Sequence, residues 1–221
     1  MKRAKPARNE KSGVKADEVI GIFPTPVMLC RKAVPDQLVK ALIAQFEAAG
    51  TGPNVRTTKL THTPMADPRS HDNFVAVYRT VLPKLKAYGE TLMGEQLDWA
   101  IKEIWINKME RDGAQKMHNH ANSFISGIIY LSSTADSVST VFHRHVGSTS
   151  FVMDNANERC KISSYNSPIY SPPPTEAGDL LLFPSYMMHE VPPNQGAQRY
   201  TAAFNALPER IDSWGYLLRF K

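Results

Sequence analysis

The sequence predicts a mainly β fold, a sheet sandwich or barrel braced by helices on one face. Two stretches with helical spacing of apolar residues lie before residue 94, and short β-type runs follow one another from about residue 98. Loops rich in Pro, Gly, Ser and Asn separate these runs, and strands and helices do not alternate. The 221 residues fit a basic tail over 1–17 followed by a single domain over 18–221.

The net charge of +5 comes mainly from the tail. Residues 1–17 carry six Lys/Arg and two acids, whereas the rest of the chain carries 20 Lys/Arg and 19 Asp/Glu. The tail is poor in apolar residues, which predicts a disordered leader, and the body has no clear nucleic-acid signature. No apolar run of about 18 residues, no apolar signal core and two distant cysteines predict a cytoplasmic protein with reduced thiols and no membrane span.

The first part of the chain predicts one edge strand and two helices. Residues 19–30 are β-branched and interrupted by prolines, which indicates an edge strand or two short extended pieces. Residues 35–50 predict an amphipathic helix, and 73–93 predict a second helix that Pro83 bends or breaks. The Thr-, Pro- and Asn-rich segment 51–71 between them is typical of a long loop.

The remaining chain predicts a series of short strands at 99–109, 123–132, 138–143, 149–153, 179–183, 198–206 and 215–220. Side chains alternate along a strand, so residues 118–132 would present two different faces. One face mixes polar and aromatic groups, including His118, His120 and Tyr130, as the lining of a cavity would. The other face is aliphatic, and we expect it to pack against the helices.

The segment RYTAAFN over 199–205 places Arg199 and Thr201 on one face of an otherwise apolar strand. A buried Arg is costly unless an anion compensates it, and no acid lies within this strand. Arg199 is therefore expected to meet either a protein carboxylate or an anionic ligand. A third polar residue, His189, follows the apolar run over 179–183, where an isolated His is more often structural than a ligand.

These residues form an ordered pattern along the chain. His118-x-His120 is followed about seventy residues later by His189, and Arg199-x-Thr201 begins ten residues after that. The chain resembles the Fe(II)/2-oxoglutarate-dependent oxygenases, particularly a small family found in bacteria and their phages. The resemblance covers roughly 20–220, and its best parts are FPTPV at 23–27, WIN at 105–107, GAQKMHNH at 113–120, SGIIYL at 126–131, GDLLLFPS at 178–185, HEVPPN at 189–194 and RYTAAFN at 199–205.

The resemblance implies a double-stranded β-helix, the jelly roll shared with cupins, that carries Fe(II) on His118, His120 and His189. It implies that Arg199 and Thr201 bind 2-oxoglutarate. Asn107 and Tyr130 are further candidates because of the strand faces they occupy, and they could equally be core polar residues. The implied reaction uses O2, decarboxylates 2-oxoglutarate to succinate and hydroxylates an unidentified substrate. Three protein ligands on one face of an iron leave room for such a cosubstrate, and an Arg fork matches its carboxylate.

One departure from the family pattern concerns His120, because the usual second ligand is a carboxylate. All three histidines could bind the metal, or a carboxylate from elsewhere could replace His120, or the fold could bind no metal. The corresponding alternative functions are a cupin-like three-histidine metalloenzyme that does not use 2-oxoglutarate and a non-catalytic jelly-roll binding module. The second His-x-His, at 143–145, lacks the flanking motifs, and His62 and His71 are predicted to be solvated in the long loop.

Overall fold

The computed structural model describes residues 19–53, 57–144, 155 and 157–220. The basic tail, the predicted strand over 149–153 and His145 therefore lie outside the described residues. Within these ranges no helix is long and apolar enough to cross a membrane. The elements, in chain order, are β1 (Met28–Cys30), α1 (Asp36–Ala48), β2 (Gly52–Pro53), β3 (Thr57–His62), a 3-10 turn (Pro68–Ser70), α2 (Asp72–Met93), β4 (Trp99–His118), β5 (Ile125–Tyr130), β6 (Val141–His143), β7 (Ile169–Tyr170), β8 (Leu180–Pro184), β9 (His189–Val191), β10 (Arg199–Pro208), β11 (Arg210–Ser213) and β12 (Tyr216–Arg219).

Ten of these strands form one curled antiparallel sheet, in which neighbouring strands follow the order β1-β8-β5-β10-β4-β9-β6-β7. The 20-residue strand β4 is the longest, and it pairs with β10 through its first half and with β9 near its end. Strand β3 also pairs with β4, and β2 pairs with β3. The curl encloses a cavity lined from β4, β5, β8, β9 and β10, so the prediction of a mainly β fold with flanking N-terminal helices is confirmed.

The two helices cover the convex face of the sheet. Their apolar sides share one core cluster with the sheet residues Ile104, Ile106 and Phe204. Because side chains alternate along β4, Trp105 and Asn107 point the other way and line the cavity. The same strands therefore bury an apolar face against the helices and present a polar face to the cavity.

Two expectations about the first part of the chain need correction. Pro83 does not break helix α2, which runs from Asp72 to Met93, and Val81 and Leu85 on either side of the proline are fully buried in the helix–sheet core. Segment 51–71 is not a loop, since its Thr-rich part forms β3, in which Thr61 pairs with Lys108 of β4. A long partner strand such as β4 supplies backbone hydrogen bonds to a segment whose polar composition alone indicates a loop.

The N-terminal strand β1 is fastened to the sheet by the buried carboxylate of Asp179. That carboxylate accepts hydrogen bonds from Arg31 Nη1 at 2.7 Å, from the Lys32 amide at 2.8 Å and from the Glu176 amide at 3.0 Å. Burial acts to raise the pKa of Asp179, but the two amides and Arg31 outweigh it and lower the pKa. The carboxylate stays ionised and links the turn after β1 to the start of β8.

Substitution of Gly127 by Ala should destabilise the sheet at the point where β5 meets β10. Gly127 pairs with Phe204, and a Cβ at residue 127 would lie 2.1 Å from Cζ of that ring. Overpacking of this kind costs about 2 kcal/mol, so the midpoint of thermal unfolding should fall by several degrees. Gly50→Ala is the control, because a Cβ at residue 50 meets nothing within 4 Å. Equal unfolding midpoints for the two variants would contradict this account of the packing.

Candidate active site

Three imidazoles meet at one end of the cavity. His118 is the last residue of β4 and lies opposite His189, the first residue of β9. His120 lies in the turn beyond β4, where its backbone N–H donates to the Ser185 carbonyl at 2.9 Å. Ring centroids are 4.3 Å apart for His118 and His189, and 5.2 Å for each of the pairs that include His120.

One ring nitrogen from each histidine lies within 4.8 Å of the others, so the three rings could hold one metal ion. Across the described ranges, no carboxylate belongs to this group. His189 is flanked by the ring of Phe183, whose centroid lies 4.9 Å away, and this apolar neighbour keeps water from one side of the group. The site thus consists of three nitrogen donors bordered on one side by an apolar ring.

Two of the rings are oriented by backbone carbonyls. Nδ1 of His118 lies 2.8 Å from the Lys116 oxygen, and Nδ1 of His189 lies 2.9 Å from the Met187 oxygen. A carbonyl oxygen can only accept, so each Nδ1 carries the proton and each Nε2 keeps its lone pair. This is the usual support of a metal-binding histidine. Gln115 Nε2 lies 3.2 Å from Nε2 of His118 and would have to leave that lone pair when a metal binds.

Burial also keeps two of the rings neutral. Desolvation, followed by the proximity of His118, lowers the pKa of His120 to about 4, although Glu103 acts in the opposite direction. Desolvation and the same neighbour, with a smaller effect of His120, lower the pKa of His189 to about 3, against the hydrogen bond to Met187. Both rings are therefore uncharged at pH 7, and a metal-binding imidazole must be neutral.

Arg199 occupies the opposite end of the same cavity. Its side chain is 4% exposed, and its Nη2 donates to Oγ1 of Thr140 at 3.2 Å. No carboxylate in the described part of the chain pairs with it, and its buried Nε has no hydrogen-bond partner there. Burial lowers the pKa of Arg199, but a guanidinium remains charged in proteins. A buried cation without a protein anion is costly, and an anionic ligand could offset that cost.

Polar side chains from three strands surround this cation. Thr201 on β10 faces Asn107 on β4 and Tyr130 on β5 in the strand register. Asn107 Nδ2 donates to Oγ1 of Thr201 at 3.4 Å, which leaves the hydroxyl proton of Thr201 free to donate to a ligand. The Tyr130 hydroxyl is buried close to Arg199 and Thr140 but makes no hydrogen bond of normal geometry with any described group, and Cζ of Arg199 lies 5.6 Å from the centre of its ring.

The structure thus brings all seven residues singled out from the sequence to one cavity or its wall. It also adds residues that sequence reasoning missed: Thr140, Gln115 and Glu103. Alternation along 138–143 could have indicated Thr140, whereas nothing in the sequence indicates Gln115 or Glu103. The other histidines in the described ranges lie elsewhere: His143 pairs with Glu190 at 3.1 Å, and His71 caps α2. His62 is half-buried at the end of β3 and not in a loop, which corrects that expectation.

A family model described as "Putative 2OG-Fe(II) oxygenase" matches residues 103–205. That range contains the three histidines and every residue around Arg199 named above. The match covers 103 of the 221 residues, somewhat less than half of the chain. Together with the three-histidine group, this match supports a 2-oxoglutarate-dependent dioxygenase that uses Fe(II), as the resemblance in the sequence implied.

Solved structures similar to this oxygenase share its jelly-roll fold. An oxygenase of the same class from Burkholderia pseudomallei matches with a TM-score of 0.56 and 14% identity, over 82% of this chain and 84% of its own. HygX from Streptomyces hygroscopicus, with nickel and 2-oxoglutarate bound, matches with a TM-score of 0.57 and 13% identity, over 83% of each chain. A prolyl-4-hydroxylase from Pseudomonas putida gives 0.55 and 16%, over 82% and 92%. No curated protein sequence matches the chain.

The metal-free oxygenase should lose stability as the pH falls from about 6.5 toward 4. A histidine in the unfolded chain has a pKa of about 6.5, so in this window the unfolded state binds more protons than the folded state. Each buried ring then lowers the free energy of unfolding by at most about 1.4 kcal/mol per pH unit. His189→Gln should therefore show a shallower pH dependence than the wild type in urea unfolding with a chelator present.

The control for that measurement is a comparison of the two proteins between about pH 8 and 9, where a histidine of pKa about 6.5 or below binds almost no proton in either state and the two pH dependences should coincide. If His189→Gln loses stability as steeply as the wild type, the burial of a neutral His189 does not contribute to acid sensitivity.

Proposed function

We propose that this oxygenase binds Fe(II) through His118, His120 and His189, binds 2-oxoglutarate through Arg199 and Thr201, and hydroxylates a substrate that is still to be identified. The observation that carries the proposal is one cavity with three clustered imidazoles at one end and an uncompensated buried guanidinium at the other. Free Cys30 and Cys160 fit a reducing compartment, and we propose a cytoplasmic location.

The residues present fit both groups. Neutral imidazoles suit Fe(II), and His118 and His189 already have their Nδ1 protons directed to carbonyl oxygens. The unpartnered Arg199 Nε and Tyr130 hydroxyl are buried polar atoms that a carboxylate would satisfy. When bound, iron would supply the oxidative chemistry that couples O2 to decarboxylation of 2-oxoglutarate and to oxidation of the substrate.

The chain itself would position and shield the reactants. Arg199 would hold the far carboxylate of 2-oxoglutarate, and Thr201, whose oxygen already accepts from Asn107, would donate its hydroxyl proton to the same carboxylate. Tyr130 would add a second neutral donor beside the guanidinium. Between the two ends, Phe183 and Val191 line the cavity and exclude water, which strengthens the electrostatic interactions inside.

Replacement of Arg199 by Met should selectively remove 2-oxoglutarate binding. Anaerobic titration of the Fe(II)-loaded wild type with 2-oxoglutarate should produce a visible charge-transfer band. Loss of a charged fork worth about 3 kcal/mol should raise the apparent Kd at least about 100-fold in the variant. Metal binding, measured separately, should be unchanged. Arg111→Met, which removes an exposed cation from β4, is the matched control and should titrate like the wild type.

Two results of that titration would contradict the assignment. If Arg199→Met retains the wild-type Kd, the guanidinium does not bind the cosubstrate. If the wild type binds the metal but develops no band, the three-histidine site does not use 2-oxoglutarate.

His120→Ala should abolish stoichiometric Fe(II) binding, because two imidazoles would then have to hold the ion alone. Binding can be followed by anaerobic dialysis and colorimetric iron analysis, or with cobalt(II) by absorption. His143→Ala is the control, since that ring pairs with Glu190 outside the group. Full iron occupancy in His120→Ala would mean that His120 is not a ligand and that another group completes the site.

A further inference from the structure

The three clustered histidines do not have the same hydrogen-bond environment. The Nδ1 atoms of His118 and His189 face backbone carbonyls, as described above. Nδ1 of His120 instead lies 3.2 Å from Nδ2 of Asn205, a side-chain amide nitrogen on β10. A carbonyl only accepts and an amide NH2 only donates, so the two kinds of neighbour favour opposite tautomers of a neutral imidazole.

The orientation of the Asn205 side chain follows from its other partners. Its Nδ2 lies 2.6 Å from Oε1 of Glu103, and its Oδ1 accepts from the hydroxyl of Ser126 at 2.9 Å. A carboxylate can only accept, so the amide nitrogen and not the amide oxygen must face Glu103. Ser126 does not impose this choice, because a hydroxyl can donate or accept. Glu103 is therefore the residue that decides which way the amide points.

The strand register keeps this chain of contacts in place. Glu103 on β4, Asn205 on β10 and Ser126 on β5 are direct neighbours across the sheet. Asn205 and Ser126 are each 2% exposed. Ser126 continues to the hydroxyl of Ser185 at 2.9 Å. With its oxygen side anchored and its nitrogen side held by the carboxylate, Asn205 directs its second N–H at His120.

We propose that Glu103, acting through Asn205, holds His120 in the tautomer that carries its proton on Nε2. The proposal rests on the proposed iron site, since it concerns the third proposed ligand. Because Nδ1 faces Asn205, which does not line the cavity, Nε2 is the nitrogen of His120 left for a metal. In this tautomer Nε2 has no lone pair to offer until the proton moves to Nδ1. The tautomer with the proton on Nδ1 favours a flipped Asn205 side-chain amide, in which Oδ1 faces His120. In that orientation Oδ1 would also face the Glu103 carboxylate, and two acceptors would repel each other. Glu103 is thus a positioning residue. It makes metal binding by His120, unlike that by His118 and His189, depend on a change of tautomer.

The tautomers can be read directly from the ring nitrogens of the full-length, metal-free protein. Long-range 1H–15N spectra of protein labelled at histidine distinguish Nδ1–H from Nε2–H rings, and single histidine variants assign the signals. The wild type should show Nδ1–H for His118 and His189 and Nε2–H for His120. The hydrogen bond from Asn205 to the charged Glu103 carboxylate should favour the Nε2–H form of His120 over the Nδ1–H form more than about tenfold. An Nδ1–H form of His120 in the wild type would overturn the proposal.

Two variants test the role of Glu103. Glu103→Gln can donate or accept, so both Asn205 orientations become possible and the tautomer preference of His120 should fall to within a few-fold. The exchange variant, Glu103→Gln combined with Asn205→Asp, keeps one carboxylate but reverses both hydrogen bonds. The carboxylate introduced on β10 only accepts, so His120 should shift to the Nδ1–H form. An unchanged His120 signal in the exchange variant, with backbone spectra showing a folded protein, would overturn the proposal.

A matched control and a separate metal titration complete the test. Glu110→Gln makes the same substitution on β4, where the carboxylate accepts from Gln198 at 2.8 Å, and it should leave all three ring signals unchanged. A change of the His120 signal in this control would mean that the effect is not specific to Glu103. Whether His120 is a metal ligand is decided separately by the cobalt(II) affinity of His120→Ala. If that variant binds cobalt(II) as tightly as the wild type, His120 is not a ligand. The tautomer of His120 measured in the metal-free wild type would still stand.

Discussion

The register of β10 between β4 and β5 is the constraint on which the cavity depends. It aligns three rows of side chains across the sheet: Asn107, Thr201 and Tyr130; Trp105, Ala203 and Ile128; Glu103, Asn205 and Ser126. A shift of one residue would exchange the polar face of β10 for the face that carries Ala202 and Phe204, which are buried against the helices. The same pairing of β10 with β4 and β5 thus positions both the core residues packed against the helices and the residues that line the cavity. Neither arrangement can form in another register.

This register also separates two opposite charges. Arg199 and Asn205, the partner of Glu103, are six residues apart on β10, which corresponds to about 20 Å along an extended strand. Glu103 is therefore not the counter-ion of Arg199, and the guanidinium is left for a ligand. A metal held only by neutral imidazoles would keep its full double charge, so the loaded cavity would have positive charge at both the metal and Arg199. A cosubstrate with two carboxylates is complementary to such a pair of charges.

Sequence reasoning was most successful where a strand is straight and paired on both sides. Alternation over 199–205 predicted the cavity face of β10, and the family resemblance implied that His118 and His189 come together. The alternation proposed for 118–132 holds only from Ser126 onward. Phe124 packs with Phe220 and the helix-side core, because residues 119–124 form a turn between β4 and β5. His120 reaches the cluster through this turn and not by strand periodicity.

What could not be predicted depends on contacts between residues far apart in the chain. Glu103 and Asn205 are separated by about a hundred residues, and each alone reads as an ordinary polar residue of a strand. Gln115 and His118 come together at an irregularity in the pairing of β4 with β9, which no local pattern announces. The Thr-rich strand β3 exists because β4 is long enough to pair with it.

The missing carboxylate at residue 120 has a physical counterpart elsewhere in the site. Where the family pattern has an acidic ligand, this chain has an imidazole whose Nδ1 faces an amide that is itself held by Glu103. A carboxylate ligand places its negative charge on the metal, whereas Glu103 acts on His120 through one intervening side chain and does so by setting an orientation. The behaviour of residue 120 therefore depends on residues 103 and 205 together. Since those two residues face each other across β4 and β10, the same strand register that builds the cavity also governs its third imidazole.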